Sequence, residues 1–119
     1  MKTILAVDDS PANLTIVREV LKEKYKVNVV TSGEQALKFL EKKDPDLILL
    51  DVCMPVMDGI ETMKHINEMP GPARKVIFLT ALTDAALAEQ AKELNCVGFV
   101  SKPFAPAELI SAIVSVIGE

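Results

Sequence analysis

The chain has 119 residues, half of them hydrophobic, and a formal net charge of −4. That length favours one domain with a core of its own, and with a mildly acidic balance no basic surface recommends nucleic acid as a direct partner. Two cysteines without paired or metal-ligand spacing point to reduced thiols, and the N-terminal apolar run is too short for a secretory signal or a membrane span, so a cytoplasmic protein is expected.

The first aliphatic run, Thr3–Val7, ends in the acidic pair Asp8-Asp9. Ser10-Pro11 then supplies a helix N-cap followed by proline at the first helical position. Leu14, Val17 and Leu21 form an apolar stripe at helical spacing. A second run is Val27–Val30, after which Ser32-Gly33-Glu34-Gln35 fits a capping box with Ala36, Leu37 and Leu40 behind it. Asp44-Pro45 closes that helix, because the residue before a proline avoids the helical region.

The third run, Leu47–Leu50, passes straight into Asp51. Asp58-Gly59-Ile60-Glu61 opens a third helix, and Pro70-Gly71-Pro72 ends it. The fourth run, Val76–Leu79, leads to Thr80. A fourth helix is predicted from Thr83-Asp84, with an alanine-rich face of Leu87, Ala91 and Leu94 that buries little apolar area. The fifth run, Val97–Val100, leads to Ser101-Lys102-Pro103, and a fifth helix follows from Pro106 with Leu109, Ile110, Ile113 and Val116 or Ile117 inward.

These are five strand–helix units in alternation. Runs that are apolar throughout, rather than alternating, suit strands of a parallel sheet covered on both faces. The expected architecture is therefore α/β: a doubly wound, five-stranded parallel sheet. Asp8-Asp9, Asp51, Thr80 and Lys102 all fall at carboxyl ends of strands, where open α/β sheets form their sites. If the first and third strands are neighbours, three carboxylates converge, and they need a counter-charge to remain ionised together. Mg²⁺, which prefers oxygen ligands, and the Lys102 ammonium would supply it. Metal and lysine to neutralise phosphate oxygens, a carboxylate to attack and a Thr80 hydroxyl to contact a phosphoryl oxygen make a phosphoryl-transfer site.

Four motifs at successive strand ends carry a family resemblance: V-D-D-S at Val7–Ser10, L-L-D-V-C-M-P-V-M-D-G at Leu49–Gly59, L-T-A at Leu79–Ala81 and S-K-P-F at Ser101–Phe104. In this order the chain resembles the receiver domain of two-component response regulators, including the single-domain chemotaxis type, over essentially its whole length. The resemblance implies a flavodoxin-like (βα)5 fold with strand order 2-1-3-4-5 and one receiver domain over residues 1–119. It implies that Asp51 is the phosphoacceptor, charged from a phosphohistidine on a sensor histidine kinase or histidine phosphotransfer protein. Asp9, Asp51 and the backbone carbonyl of Cys53 would bind Mg²⁺ directly, and Asp8 mainly through a metal-bound water. Lys102 would pair with the acceptor and then with the phosphoryl group, across a cis bond to Pro103.

Thr80 and Phe99 would be the switch pair, acting on the surface of the fourth helix, fifth strand and fifth helix. That surface would control a downstream target protein or a C-terminal effector, and phosphorylation-dependent homodimerisation is a further implied property. Such a protein is a switch rather than an enzyme in its own right, without direct nucleic-acid or membrane contact by this domain. Cys53 and Leu82 stand where the family tunes the lifetime of the acyl phosphate, and neither helps an attacking water, so slow self-dephosphorylation is expected.

Other readings of the same residues compete. Asp8 and Asp9 could be a macrodipole-favoured cluster, although Ser10 already caps the helix. Phe99 reads equally as a half-buried core aromatic. His65 reads as a surface residue, and Met54, Met57, Met63 and Met69 as gap-filling packing. The alternative function is an Mg²⁺-dependent phosphatase or phosphotransferase with an aspartate nucleophile, acting on small molecules. Against it, Asp8 and Asp9 are adjacent, and the chain has no room for a cap domain. A flavodoxin-like cofactor binder lacks its phosphate-cradling loop, and a receiver reduced to docking would not keep all five site residues.

Overall fold

Five strands form one sheet: β1 (Thr3–Val7), β2 (Lys26–Val30), β3 (Leu47–Leu50), β4 (Val76–Thr80) and β5 (Gly98–Ser101). Every neighbouring pair is parallel, and the order is β2-β1-β3-β4-β5. The computed structural model describes residues 1–52, 54, 57–71, 73–80, 89–90, 92–94 and 96–118, with the backbone alone for Thr80.

Among the described residues the helices are α1 (Pro11–Leu21), α2 (Gly33–Lys42), α3 (Gly59–Glu68) and α4 (Pro106–Ile117). Four helices can thus be bounded among the described residues, where the sequence pattern called for five in the whole chain. The predicted fourth helix falls mainly on residues 81–88, 91 and 95, outside those described, although Glu89, Gln90, Lys92 and Glu93 are helical.

The central strands β1, β3 and β4 are nearly unbroken apolar runs because both of their faces are covered, whereas the edge strand β2 carries Lys26 and Asn28 and is only partly buried. Ile4 and Ala6 of β1, Leu47 and Leu49 of β3, and Ile77 and Leu79 of β4 pack with Leu14, Val17 and Leu21 of α1 and Leu109, Ile113 and Ile117 of α4. The alternate residues, Leu5, Val7, Ile48, Leu50, Val76 and Phe78, pack with Ala36 and Leu40 of α2 and Ile60, Met63 and Ile66 of α3. The last apolar turn of α4 turns inward through Ile117 rather than Val116, which is only partly buried. Met63 is fully buried and Met54 nearly so, as gap-filling side chains, and His65 is exposed.

Local chemistry sets the helix starts. Ser10 Oγ accepts from Asn13 N at 3.3 Å, Ser32 Oγ from Gln35 N at 3.1 Å, and Asp58 Oδ1 from Glu61 N at 2.8 Å. The reciprocal bond of the capping box is displaced by one residue: Gln35 Oε1 accepts from Thr31 N at 2.8 Å. At the far end of the sheet, Tyr25 Oη donates to the Gly118 carbonyl at 2.7 Å and Lys2 Nζ to that of Ile117, satisfying the orphan carbonyls of α4.

Candidate functional site

The strand order places β1 beside β3, in a register that pairs Val7 with Leu50. Their next residues leave the sheet together, with Asp8 N donating to Val30 O at 3.3 Å and Asp51 N to Val7 O at 3.0 Å. Backbone pairing therefore aims two carboxylates from distant parts of the chain into one crevice. Asp9 joins them, and the three groups offer oxygens that all lie within 4.8 Å of one another. Asp8 and Asp51 are only 5% and 6% exposed, whereas Asp9 faces solvent.

Burying two carboxylates requires compensation, and β5 provides it. Lys102 Nζ lies 2.6 Å from Asp8 Oδ2 and 3.6 Å from Asp51 Oδ2, and its side chain is largely buried. The Lys102–Pro103 peptide bond is cis. Asp8 holds two further donors: Ser10 N donates to Oδ1 at 2.9 Å, and Asn13 Nδ2 to Oδ2 at 3.4 Å. Lys102, read from sequence as the partner of Asp51, is thus bonded chiefly to Asp8.

The segment that leaves β3 at Asp51 is supported from behind by α3. Gly59 N donates to the Val52 carbonyl at 2.8 Å. A methyl group on Gly59 would lie 2.2 Å from the Asp51 carbonyl oxygen and 2.7 Å from Val52 Cα, both backbone atoms that cannot step aside. Glycine alone lets α3 start this close to Asp51. Sequence reading saw Gly59 only as part of a helix start, and it missed Asn13; the signal for Asn13 was its place in the first turn of α1, five residues after Asp8.

Thr80 ends β4, with its backbone paired with Ser101. Its side chain, together with Cys53 and Leu82, lies outside the described residues. Phe99 is half-buried, and its ring stacks on Phe78 at a centroid distance of 5.7 Å. That contact satisfies the core reading of Phe99 without excluding movement of the ring.

The donor set suits Mg²⁺. It is all carboxylate oxygen, gathered within 4.8 Å and open to solvent on the Asp9 side, which matches the preference of Mg²⁺ for oxygen ligands. Asp8 is held by Ser10, Asn13 and Lys102, whereas Asp9 faces solvent. Among the described residues no helix is long and apolar enough to cross a membrane.

A family model described as "Response regulator receiver domain" matches residues 4–114. The chain is 31% identical to a chemotaxis protein CheY of Halobacterium salinarum, covering 98% of this chain and 97% of that one. It is 37% identical to sporulation initiation phosphotransferase F of Bacillus subtilis, covering 92% and 89%. Among solved structures it is similar to the receiver domain of sensor histidine kinase PA1611 from Pseudomonas aeruginosa PAO1, described with a magnesium ion coordinated in the active-site cleft. That match has a TM-score of 0.89 and 32% identity, and covers 99% of this chain and 98% of the other.

Proposed function

The chain belongs to the response regulator receiver domain family of two-component signalling, and we propose that it is a switch charged by transfer of a phosphoryl group from a phosphohistidine to Asp51. One observation carries this reading: three carboxylates within 4.8 Å of one another share a crevice with the Lys102 ammonium.

An Asp51 carboxylate oxygen attacks phosphorus, the P–N bond to the donor imidazole breaks, and its electron pair returns to the ring nitrogen. Lys102, 3.6 Å from Asp51, moves onto the phosphoryl oxygens as charge gathers there. Asp8 steers that ammonium, and Asp9 with Asp51, together with the Cys53 carbonyl, would hold Mg²⁺. Held there, Mg²⁺ would supply positive charge to offset that of the phosphoryl oxygens and of the clustered carboxylates. Thr80 then binds the new phosphoryl group through its hydroxyl, Phe99 turns inward, and the surface of the fourth predicted helix, β5 and α4 changes its preferred state. That surface addresses a target protein, an attached effector or a second copy of the chain.

The partners implied are a sensor histidine kinase or a histidine phosphotransfer protein, in the cytoplasm, with residues 1–119 acting as one receiver domain. A phosphatase acting on small molecules is disfavoured, because Asp8, its nucleophile by position, already has its oxygens engaged by Lys102, Ser10 and Asn13. The test is incubation with acetyl phosphate or phosphoramidate and Mg²⁺, read by intact mass. The protein should gain one phosphoryl group, and Asp51→Asn should gain none; gain in Asp51→Asn, or none in the parent, overturns the proposal.

A further inference from the structure

The carboxylate of Asp8 is not simply one of three acidic groups. Its Oδ1 accepts the Ser10 N–H, and its Oδ2 accepts both Lys102 Nζ and Asn13 Nδ2. Two donors of different kinds converge on one oxygen: a cation at 2.6 Å and a neutral amide at 3.4 Å. A carboxylate oxygen divides its charge among its donors, so the amide weakens the hold on the cation. The cation in question must leave Asp8 to serve a phosphoryl group on Asp51.

We propose that Asn13 is a positioning residue for phosphoryl transfer: by bonding Asp8 Oδ2, it loosens Lys102 from Asp8 and sets how readily the ammonium reaches Asp51. Its placement suits the task. Asn13 is the third residue of α1, and its backbone N–H is bound by the Ser10 cap, which fixes where its side chain leaves the helix. It also lines, with Ile16, Val17, Leu79, Lys102, Pro103 and Phe104, a cavity of about 350 Å³, so Asn13 and Lys102 border the same open space. The neighbours Ile16 and Val17 are apolar and offer Asp8 no replacement donor.

The bearing on catalysis rests on the reading of Asp51 as acceptor, whereas the Asn13–Asp8–Lys102 linkage stands apart from it; the experiment therefore reads both. Full-length protein carrying ¹³C-labelled lysine is prepared as parent, Asn13→Ala and Asn13→Asp, with the Lys102 signal assigned by Lys102→Arg. Without metal, both substitutions should shift the Lys102 side-chain signal, because Ala removes the donor and Asp turns it into an acceptor. At saturating Mg²⁺, Asn13→Ala should slow phosphoryl uptake from acetyl phosphate about three- to tenfold, the scale of one lost hydrogen bond. Asn13→Asp adds a fourth carboxylate and should tighten Mg²⁺ binding several-fold while also slowing uptake. Asn13→Gln, which keeps the amide, should recover part of the rate.

A residue that merely supported the first turn of α1 would change thermal stability without moving the Lys102 signal. An unmoved Lys102 signal in both variants, or parental uptake in Asn13→Ala, overturns the proposal. If the parent takes up no phosphoryl group while the lysine signal still moves, the linkage holds and the acceptor reading is what fails.

Discussion

Lys102 Nζ is bonded to Asp8 Oδ2 at 2.6 Å, while Asp51, the acceptor in our account, stands 3.6 Å from the same nitrogen. The ammonium is therefore parked on a neighbour of the residue it must serve. Metal-free and phosphorylated protein should differ in which carboxylate the lysine faces, and that difference is the electrostatic trigger we assign to the site.

Mg²⁺ should stabilise the folded protein, because its ligands converge only after β1 and β3 pair. At about a hundred times its Kd the gain is about 2.7 kcal/mol, and Tm should rise by on the order of 10 °C. Chelation should reverse the rise, and Asp9→Asn should abolish most of it. A melting curve indifferent to Mg²⁺ would contradict the metal assignment.

Lys102→Ala removes a largely buried cation that lies within 4 Å of both Asp8 and Asp51. Mg²⁺ should then bind more tightly, since the carboxylates lose their internal partner. Phosphoryl uptake should nonetheless fall by about tenfold or more, because no ammonium follows the charge onto the phosphoryl oxygens. Isothermal titration together with uptake kinetics would separate the two effects; weaker metal binding with unchanged uptake would count against the role given to Lys102.

Gly59→Ala places a methyl group 2.2 Å from the Asp51 carbonyl oxygen, so α3 or the acceptor segment must move. A loss of about 1–3 kcal/mol is expected from overpacking of this kind. The displaced Asp51 should also accept phosphate more slowly. Urea denaturation and uptake kinetics on one preparation would check both, and near-parental values would show that the segment yields freely.

Cys96 is part-buried, and burial pushes its thiol pKa up against smaller opposing effects from its backbone surroundings and Lys92. A raised pKa leaves less thiolate at neutral pH, so alkylation should be slower than for a free cysteine. Its pH–rate profile should be displaced to higher pH. Measured in a Cys53→Ser background, a rate equal to that of a model thiol would refute the shift.

Much of this fold could be read from residue order. The unbroken runs at Leu47–Leu50 and Val76–Leu79 carry the signature of strands buried on both faces, and Ile48 and Leu49 do pack on opposite helical layers. Ser10, Ser32 and Asp58 marked helix starts because a capping side chain acts within three residues, a range that sequence reveals. Convergence of Asp8, Asp9 and Asp51 was legible once β1 and β3 were taken as neighbours.

What escaped was set by distances of an ångström. Lys102 can reach either Asp8 or Asp51 from its strand end, and the choice depends on rotamers and on donors such as Asn13, which sequence spacing does not rank. The close approach of Gly59 to Asp51 is a contact between loop and helix backbones that leaves no periodic trace. Strand β5 begins and ends one residue later than the aliphatic run suggested, because Ser101 still pairs with Thr80.

An acyl phosphate on Asp51 should also be long-lived by the standards of the family, as Cys53 and Leu82 offer no acid–base help to an attacking water. Decay of the isolated phosphoprotein, followed by intact mass, checks this, and a polar residue in place of Leu82 should hasten the loss. Rapid decay that is insensitive to that change would run against the expectation.

The most direct test of the central claim is chemical mapping of the phosphorylated residue. Protein charged with acetyl phosphate and Mg²⁺ is reduced with borohydride, which converts an aspartyl phosphate to homoserine, and is then digested and sequenced by mass spectrometry. The account predicts homoserine at position 51 alone, dependent on Mg²⁺. Conversion at another carboxylate, or none at position 51 in protein that has gained a phosphoryl group, would contradict it.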